Sequence, residues 1–165
     1  MKILITSILI TICFSNGNSQ SWSPINEQSI RPELTDIISN LTETNQLKGE
    51  FTGPGAYTSQ QYKNFESLLD LCTEEDLIQL TNFNNPVVRS YAFWGLARQS
   101  SLMTEQIIRN HVNDDEPVKT IFGCTQTNRS VAEFMLKVVT PDEVDDCLKL
   151  SNKTLRQIRR EIDAL

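Results

Sequence analysis

One segment of the chain, Val87 to Ser100, has apolar side chains on every side of the helix that it predicts. Asn85 and Pro86 form a turn signal, and the proline can open the helix because its fixed φ suits the first helical position. A helix that is apolar all round either spans a membrane or is buried among several neighbours. The segment is too short to span, and Arg89 and Arg98 interrupt it. We therefore expect a central helix with other helices packed on both flanks.

Length and composition limit the class of protein. The 165 residues suit one domain, on a prior of roughly 100–200 residues per domain. A hydrophobic content of 39% and a charged content of 22% indicate a globular chain. A broad nucleic-acid surface needs clustered excess Lys and Arg, whereas the net charge here is −6. We therefore expect no nucleic-acid partner.

The N-terminus has the features of a secretory signal peptide. Lys2 precedes a 12-residue apolar stretch, Ile3 to Phe14, which is shorter than the roughly 20 residues that span a membrane. Gly17 and Ser19 are small residues at −3 and −1 of a cut before Gln20. We predict that residues 1–19 are removed, leaving a secreted or periplasmic protein without a transmembrane span. The alternative is an uncleaved membrane anchor.

The cysteines predict neither a lipid anchor nor a metal site. Lipidation of Cys13 would need a small residue before it, and Ile12 stands there. The mature chain keeps Cys72, Cys124 and Cys147, so at most one disulfide can form, and no C-x-x-C spacing indicates zinc. The sequence leaves open whether a disulfide forms. We favour the interpretation that the three cysteines are free and pack as small buried apolar residues.

The remaining chain divides into a leader and one domain. Residues 20–31, rich in Ser, Gln, Asn and Pro, predict a mobile leader, and residues 32–165 predict a single helical domain. Apolar residues at helical spacing recur through the domain, and Thr73 with Asp76 resembles a capping box at one helix start. Further helices are expected to begin at Asn128 and at Thr140.

Two segments lack a helical pattern. Residues 48–58 hold three glycines and a proline without a phosphate-binding spacing, so we interpret them as a loop. In residues 118–125, Val118, Thr120 and Phe122 alternate with period two, which allows a short strand, while a helix is the alternative. The expected fold is all-α, with one short strand or extended segment open at 118–125.

Two segments of the chain can be aligned with each other. "NNPVVRSYAFW" and "NDDEPVKTIFGC" each contain a polar turn with Pro, then Val, a cation and apolar residues, with Val88 on Val118 and Arg89 on Lys119 at an offset of 30. A period of this size with an internal helix-turn-helix is typical of an α-solenoid. Such units bury their apolar faces only by stacking on neighbours.

The first of these segments resembles the HEAT-repeat pattern. In that pattern a Leu closes one helix, a polar turn with Pro follows, and Val-Arg opens the next helix ahead of Ala and Leu. The family usually has Asp where this chain has Asn85, and the strong match covers about one repeat. The chain is also similar to small secreted bacterial HEAT-like proteins of unassigned function. The matching positions are Leu80, Asn85, Pro86, Val88, Arg89, Ala92 and Leu96.

The resemblance implies a short HEAT-like array in which Arg89 has a structural role. A guanidinium can donate hydrogen bonds to several turn carbonyls or to a carboxylate of the adjacent unit. We therefore assign Arg89, together with Asn85 and Pro86, as the repeat tie, the residues that hold one repeat unit to the next. The implied function is a non-catalytic interaction or scaffold module that binds another protein. Its partner surface would include the exposed parts of four side chains: Tyr57, Tyr91, Trp94 and Arg98. The alternative, which we favour for Tyr91 and Trp94, is that these two residues belong to the core.

The chemistry-bearing residues favour no catalytic set. The chain's single histidine, His111, stands near a helix end, and with Cys124 as nucleophile it suggests a small hydrolase or thiol enzyme as the alternative function. A histidine at a helix C-terminus is the simpler interpretation. The acidic runs lack the spacing of a calcium loop. We therefore expect no catalytic residue, metal or cofactor.

Overall fold

The computed structural model describes residues 22–25 and 30–164, where helices alternate with a four-stranded sheet. The predicted signal peptide, its cleavage near Ser19, and Cys13 lie outside the described residues. The elements are α1 Thr35–Thr44, β1 Leu47–Thr52, β2 Tyr57–Thr58, α2 Gln60–Leu71, α3 Glu74–Leu80, α4 Pro86–Arg98, α5 Thr104–Asn110, β3 Pro117–Gly123, β4 Thr125–Ser130, α6 Val131–Val139 and α7 Asn152–Asp163.

The sheet is mixed, with strand order β2-β1-β3-β4. The two central strands, β1 and β3, are parallel, and Leu47 pairs with Thr120. Each central strand also pairs antiparallel with its neighbour along the chain, β2 or β4. Because β1 and β3 are parallel, their carboxyl ends lie at the same edge of the sheet.

Helix α4 is the centre of the core. Every residue from Pro86 to Ala97 is buried, and α4 contacts α1, α3, α5 and α6 as well as strands β1 and β3. The prediction of a central helix with neighbours on both flanks is therefore confirmed. Full burial of a side chain such as Phe93 contributes roughly 1.5–3 kcal/mol, which is why a polar face on α4 would be costly.

The predicted all-α HEAT-like array is wrong, because the described chain is an α/β protein with a mixed sheet. The segment aligned as the second repeat helix is strand β3, in which Val118 and Thr120 are buried and paired with β4. The structure therefore contradicts the α-solenoid resemblance. A solenoid unit would need a further helix pair there, and a β-hairpin occupies that place instead.

Residues 48–58 are not the predicted loop, because they contain most of β1 and all of β2. Strand β1 forms hydrogen bonds with a partner strand on each edge, so its own composition does not predict that it is a strand. Gly49 is needed for packing: a Cβ at this position would lie 2.7 Å from Cδ1 of Phe122. The glycine that favoured a loop therefore permits close contact between two strands.

Two predicted helix starts are also wrong. Asn128 lies in β4, and Ser130 caps α6 instead, with Glu133 completing a capping box. The segment after Thr140 is irregular rather than helical. Asp142 and Asp146 have φ values of 63° and 53°, in the left-handed region that a right-handed helix excludes.

The strongest local helix signals are confirmed. Thr73 and Asp76 form a reciprocal capping box at the start of α3. Asn85 caps α4, where its side-chain oxygen accepts hydrogen bonds from the backbone N–H of Val87 at 2.9 Å and Val88 at 3.3 Å. None of the helices in the described ranges combines the length and apolar character needed to cross a membrane.

We expect Asn85→Ala to lower the free energy of unfolding by about 0.5–2 kcal/mol, since two N–H groups at the start of α4 lose their acceptor. Urea unfolding followed by circular dichroism measures this change. Asn128→Ala is the matched control, because Asn128 is exposed on β4, and its effect should stay within about 0.5 kcal/mol. Equal effects of the two substitutions would contradict the capping role.

Candidate functional site

A cavity of about 420 Å³ opens at the carboxyl ends of the parallel strands β1 and β3. We call it the sheet-end pocket. Open α/β sheets commonly bind ligands at this edge. The walls are residues 49–51 of β1, Tyr62 of α2, Trp94 and Arg98 of α4, Phe122 and Gly123 of β3, and residues 143–146 of the loop after α6.

Aromatic rings form the floor of the sheet-end pocket. The ring of Trp94 lies 5.8 Å from that of Tyr62 and 5.7 Å from that of Phe122. Behind it, Phe65 stacks on Trp94 at 4.8 Å and on Tyr91 at 4.9 Å. Such stacked pairs add roughly 0.5–1.5 kcal/mol beyond their buried area, so the floor is held in place by the core.

Tyr91 connects this aromatic floor to the sheet. Its hydroxyl accepts a hydrogen bond from the backbone N–H of Lys48 at 2.8 Å and donates one to the Lys48 carbonyl at 3.0 Å. Burial raises the pKa of the Tyr91 hydroxyl far above its ordinary value, although the bond with Lys48 opposes this. The hydroxyl therefore stays neutral and fixes α4 against β1.

Trp94 brings a buried polar group to the pocket wall. Its side chain is only 5% exposed, and Nε1 has no hydrogen-bond partner in the part of the chain that the structure describes. Burial raises the pKa of the nearby Cys147 thiol, while Lys149, the Trp94 indole and Arg98 oppose the shift. Cys147 therefore remains a neutral thiol beside the indole.

Two charged groups of the pocket are already paired. The Lys137 ammonium donates a hydrogen bond to Glu143 at 2.7 Å, and this bond and charge lower the pKa of the Glu143 carboxyl. Arg98 forms an ion pair with Glu66 and donates a hydrogen bond to the Tyr62 hydroxyl at 3.2 Å. The Arg98 guanidinium is thus neutralised from outside the pocket.

Three further carboxylates of the pocket, on Glu50, Asp145 and Asp146, form no ion pair with any described residue. Their charge affects the groups around them. Burial raises the pKa of the Tyr62 hydroxyl, the Arg98 charge opposes this shift, and Glu66 and Glu50 raise the pKa further. Four carboxylates and one guanidinium line the pocket, so its lining has an excess of negative charge.

The exposed aromatic residues at this end of the sheet lie on different faces. Phe51 is 48% exposed and lines the pocket, whereas Tyr57 is 75% exposed on β2. Phe51 pairs with Thr58, and Tyr57 pairs with Thr52, so successive side chains place the two rings on opposite faces of the β1–β2 ribbon. Phe51 therefore extends the apolar surface of the pocket, and Tyr57 does not.

The four residues proposed as the partner surface are thus only partly brought together. Trp94 and Arg98 line the pocket, Tyr91 is fully buried behind it, and Tyr57 lies on the other face. Sequence reasoning did not assign Phe51, Phe122 or the carboxylates to a site. The period-two pattern of residues 118–125 placed Phe122 on one face of a possible strand, but nothing local linked it to Glu50 or to the acidic run after α6.

The proposed repeat tie, Arg89, lies in a buried charge cluster away from the pocket. Its Nε and Nη2 donate to the two carboxylate oxygens of Asp114, both at 2.9 Å. Nη1 donates to the carbonyls of Phe83 and Asn84 at 2.8 and 2.9 Å, and Nη2 also donates to Glu116 at 2.8 Å. The guanidinium therefore ties the turn before α4, which Asn85 and Pro86 complete, to the connection between α5 and β3.

Trp22 closes this cluster from the N-terminal side. Its ring lies 4.2 Å from Cζ of Arg89 and stacks on His111 at 5.5 Å, while Nδ1 of His111 lies 3.1 Å from the Asp114 carboxylate. His111 is also the residue at the end of α5. The polar atoms of the cluster are occupied by each other, which favours a structural role over chemistry.

The arrangement gives no support to a thiol enzyme. His111 is buried against Asp114, Cys124 is exposed in the turn between β3 and β4, and no hydrogen bond joins them among the described residues. Cys72, Cys124 and Cys147 are free thiols. Cys72 is buried, as expected of a small apolar residue, and burial raises its pKa to about 12. The exposed Cys124 departs from that expectation.

A larger cavity, of about 700 Å³, lies between α1 and the start of α4. Its main polar groups are already used: Asn85 caps α4 and donates to Asn45 at 3.0 Å, and Glu116 binds Arg89. Because these groups are engaged in structural contacts, the sheet-end pocket is the better candidate site.

No group of three or more His, Cys, Asp or Glu in the described ranges could hold a metal ion.

The fold and the pocket together define a small α/β protein with an acidic, aromatic-lined pocket at the end of its sheet. No protein-family model and no curated protein matches the chain.

We expect Arg89→Met to lower the free energy of unfolding by about 3–5 kcal/mol, because Asp114 would remain buried without its partner. Replacing both residues, as Arg89→Met with Asp114→Leu, should cost less than the sum of the single changes. Chemical denaturation of the three variants measures the coupling. Simple additivity would argue against a buried ion pair.

Proposed function

We propose that this chain is a non-catalytic binding module that holds a segment of another protein at the sheet-end pocket. The observation that carries the proposal is the continuity between a preformed aromatic floor and the exposed ring of Phe51 at its rim. Binding surfaces concentrate their energy in such aromatic groups, where a rigid pocket meets an exposed anchor.

The shape of the site favours a macromolecular partner. The pocket has the volume of a small ligand site, for which about 300–1,000 Å³ is usual, but its rim continues onto β1. A segment seated on Phe51 would place one long side chain over Tyr62 and Phe122. Aromatic contacts of this kind supply affinity without requiring a catalytic group.

We expect a photo-crosslinking residue at Phe51 to capture one specific partner protein when the chain is produced in its native host. The same residue at Tyr57 is the matched control, because this exposed aromatic position lies on the opposite face of the ribbon. Mass spectrometry of the crosslinked bands identifies the products. Identical bands from both positions, or none from Phe51, would contradict the proposed face.

The captured partner then allows a quantitative test. Phe51→Ala should weaken its binding at least tenfold, as the loss of an aromatic anchor usually costs more than about 1.4 kcal/mol. Tyr57→Ala should leave the dissociation constant within about twofold. Calorimetry with the purified pair measures both.

We further propose that the protein acts outside the cytoplasm after removal of residues 1–19. The support is the Lys2 and apolar pattern with small residues before Gln20. The intact mass of the protein from envelope and culture fractions should correspond to a chain starting at Gln20. A mass that retains residues 1–19, or that includes a lipid on Cys13, would contradict this proposal.

A further inference from the structure

We infer that the sheet-end pocket selects a cationic side chain, a lysine or an arginine, of the partner protein. This inference rests on the proposed function and specifies the chemistry of the partner. It stands on the charge of the pocket, on the aromatic side chains that line it, and on how the protein's own Lys137 binds two residues of the pocket wall, Phe122 and Glu143.

The first argument is charge. Glu50, Asp145 and Asp146 bring three carboxylates to one pocket without an ion pair to any described residue. A cation in the pocket is attracted by these carboxylates, whereas an anionic side chain or an anionic membrane surface is repelled by them.

The second argument is the internal example that Lys137 provides. Its ammonium lies 5.5 Å from the centroid of the Phe122 ring and binds the Glu143 carboxylate at 2.7 Å. Two residues of the pocket wall, Phe122 and Glu143, therefore already combine an aromatic face and a carboxylate in binding an ammonium from beside the pocket. Tyr62 and Glu50 also line the pocket, and Glu50 is one of the carboxylates that raise the pKa of the Tyr62 hydroxyl.

The third argument concerns length. An ammonium or guanidinium on a flexible aliphatic stem can lay its methylenes on Phe51 and Tyr62 while its charge meets the acidic rim. A small inorganic cation would use the carboxylates alone, and no metal-holding group exists among the described residues. The aromatic floor therefore favours an organic cation.

The test compares four blocked amino acids that differ only in the side chain. N-acetyl-N′-methylamides of lysine, arginine, norleucine and glutamate are titrated into the mature chain and followed by nuclear magnetic resonance. The Trp94 indole N–H is a direct reporter, since it lies in the pocket wall. We expect lysine and arginine to bind at least tenfold more tightly than norleucine, and glutamate to cause no shift.

Variants separate the role of charge from that of shape. Glu50→Gln combined with Asp145→Asn should weaken the binding of the blocked lysine at least fivefold. The affinity for the blocked norleucine should stay unchanged. The matched control is Asp70→Asn, an exposed carboxylate on α2 outside the pocket, which should change neither affinity. Thermal unfolding of each variant shows that the fold is retained. Equal binding of lysine and norleucine, or indifference to the double variant, would overturn the inference.

A further arm identifies the source of the cation. Free n-butylamine carries the lysine ammonium without a peptide backbone, and we expect it to bind more weakly than the blocked lysine. Equal affinity would overturn the assignment to a protein side chain and favour a small amine. If a partner captured at Phe51 binds the double variant as tightly as the wild type, this inference is wrong and the proposed function still stands. If the pocket selects lysine but no partner is captured, the proposed function is wrong.

Discussion

The fold depends on the buried ion pair between Arg89 and Asp114. Two charges removed from water cost several kcal/mol each, and they are tolerated only when the remaining donors are satisfied. Here the Arg89 guanidinium donates hydrogen bonds to the Asp114 carboxylate, to two turn carbonyls and to Glu116. The Trp22 ring lies over its face. The pair fixes where α4 begins relative to β3. Since α4 contacts most other elements, this one constraint sets the position of the aromatic floor beneath the pocket.

The helices could be predicted because their signals are local. Thr73 and Asp76 cap each other within one turn, and Asn85 satisfies the N–H groups directly after it. Apolar side chains on every side of α4 also predicted that the helix is buried, since no polar face remained to contact solvent. The helical neighbours were predicted and the sheet was missed, because burial by a sheet and burial by helices leave the same apolar pattern.

The strands and the site could not be predicted, because their partners come from distant parts of the chain. β1 has a glycine and two charged residues, and it is a strand only because β2 and β3 pair with its edges. The match of Val88 with Val118 reflected a shared turn chemistry rather than a shared structure. Glu50, Phe122 and Asp145 meet only in the folded sheet, so no spacing in the sequence joined them.

The pairing of β1 with β3 also governs how the chain can fold. These parallel strands are separated along the sequence by α2, α3, α4 and α5, so pairing them closes a long loop and carries the entropy cost of that closure. Non-local pairing of this kind slows folding and couples distant segments. A stacked repeat protein can lose units one at a time, whereas here loss of β3 removes the partner of β1 as well. The pocket therefore requires both central strands, since residues of β1 and β3 line it together.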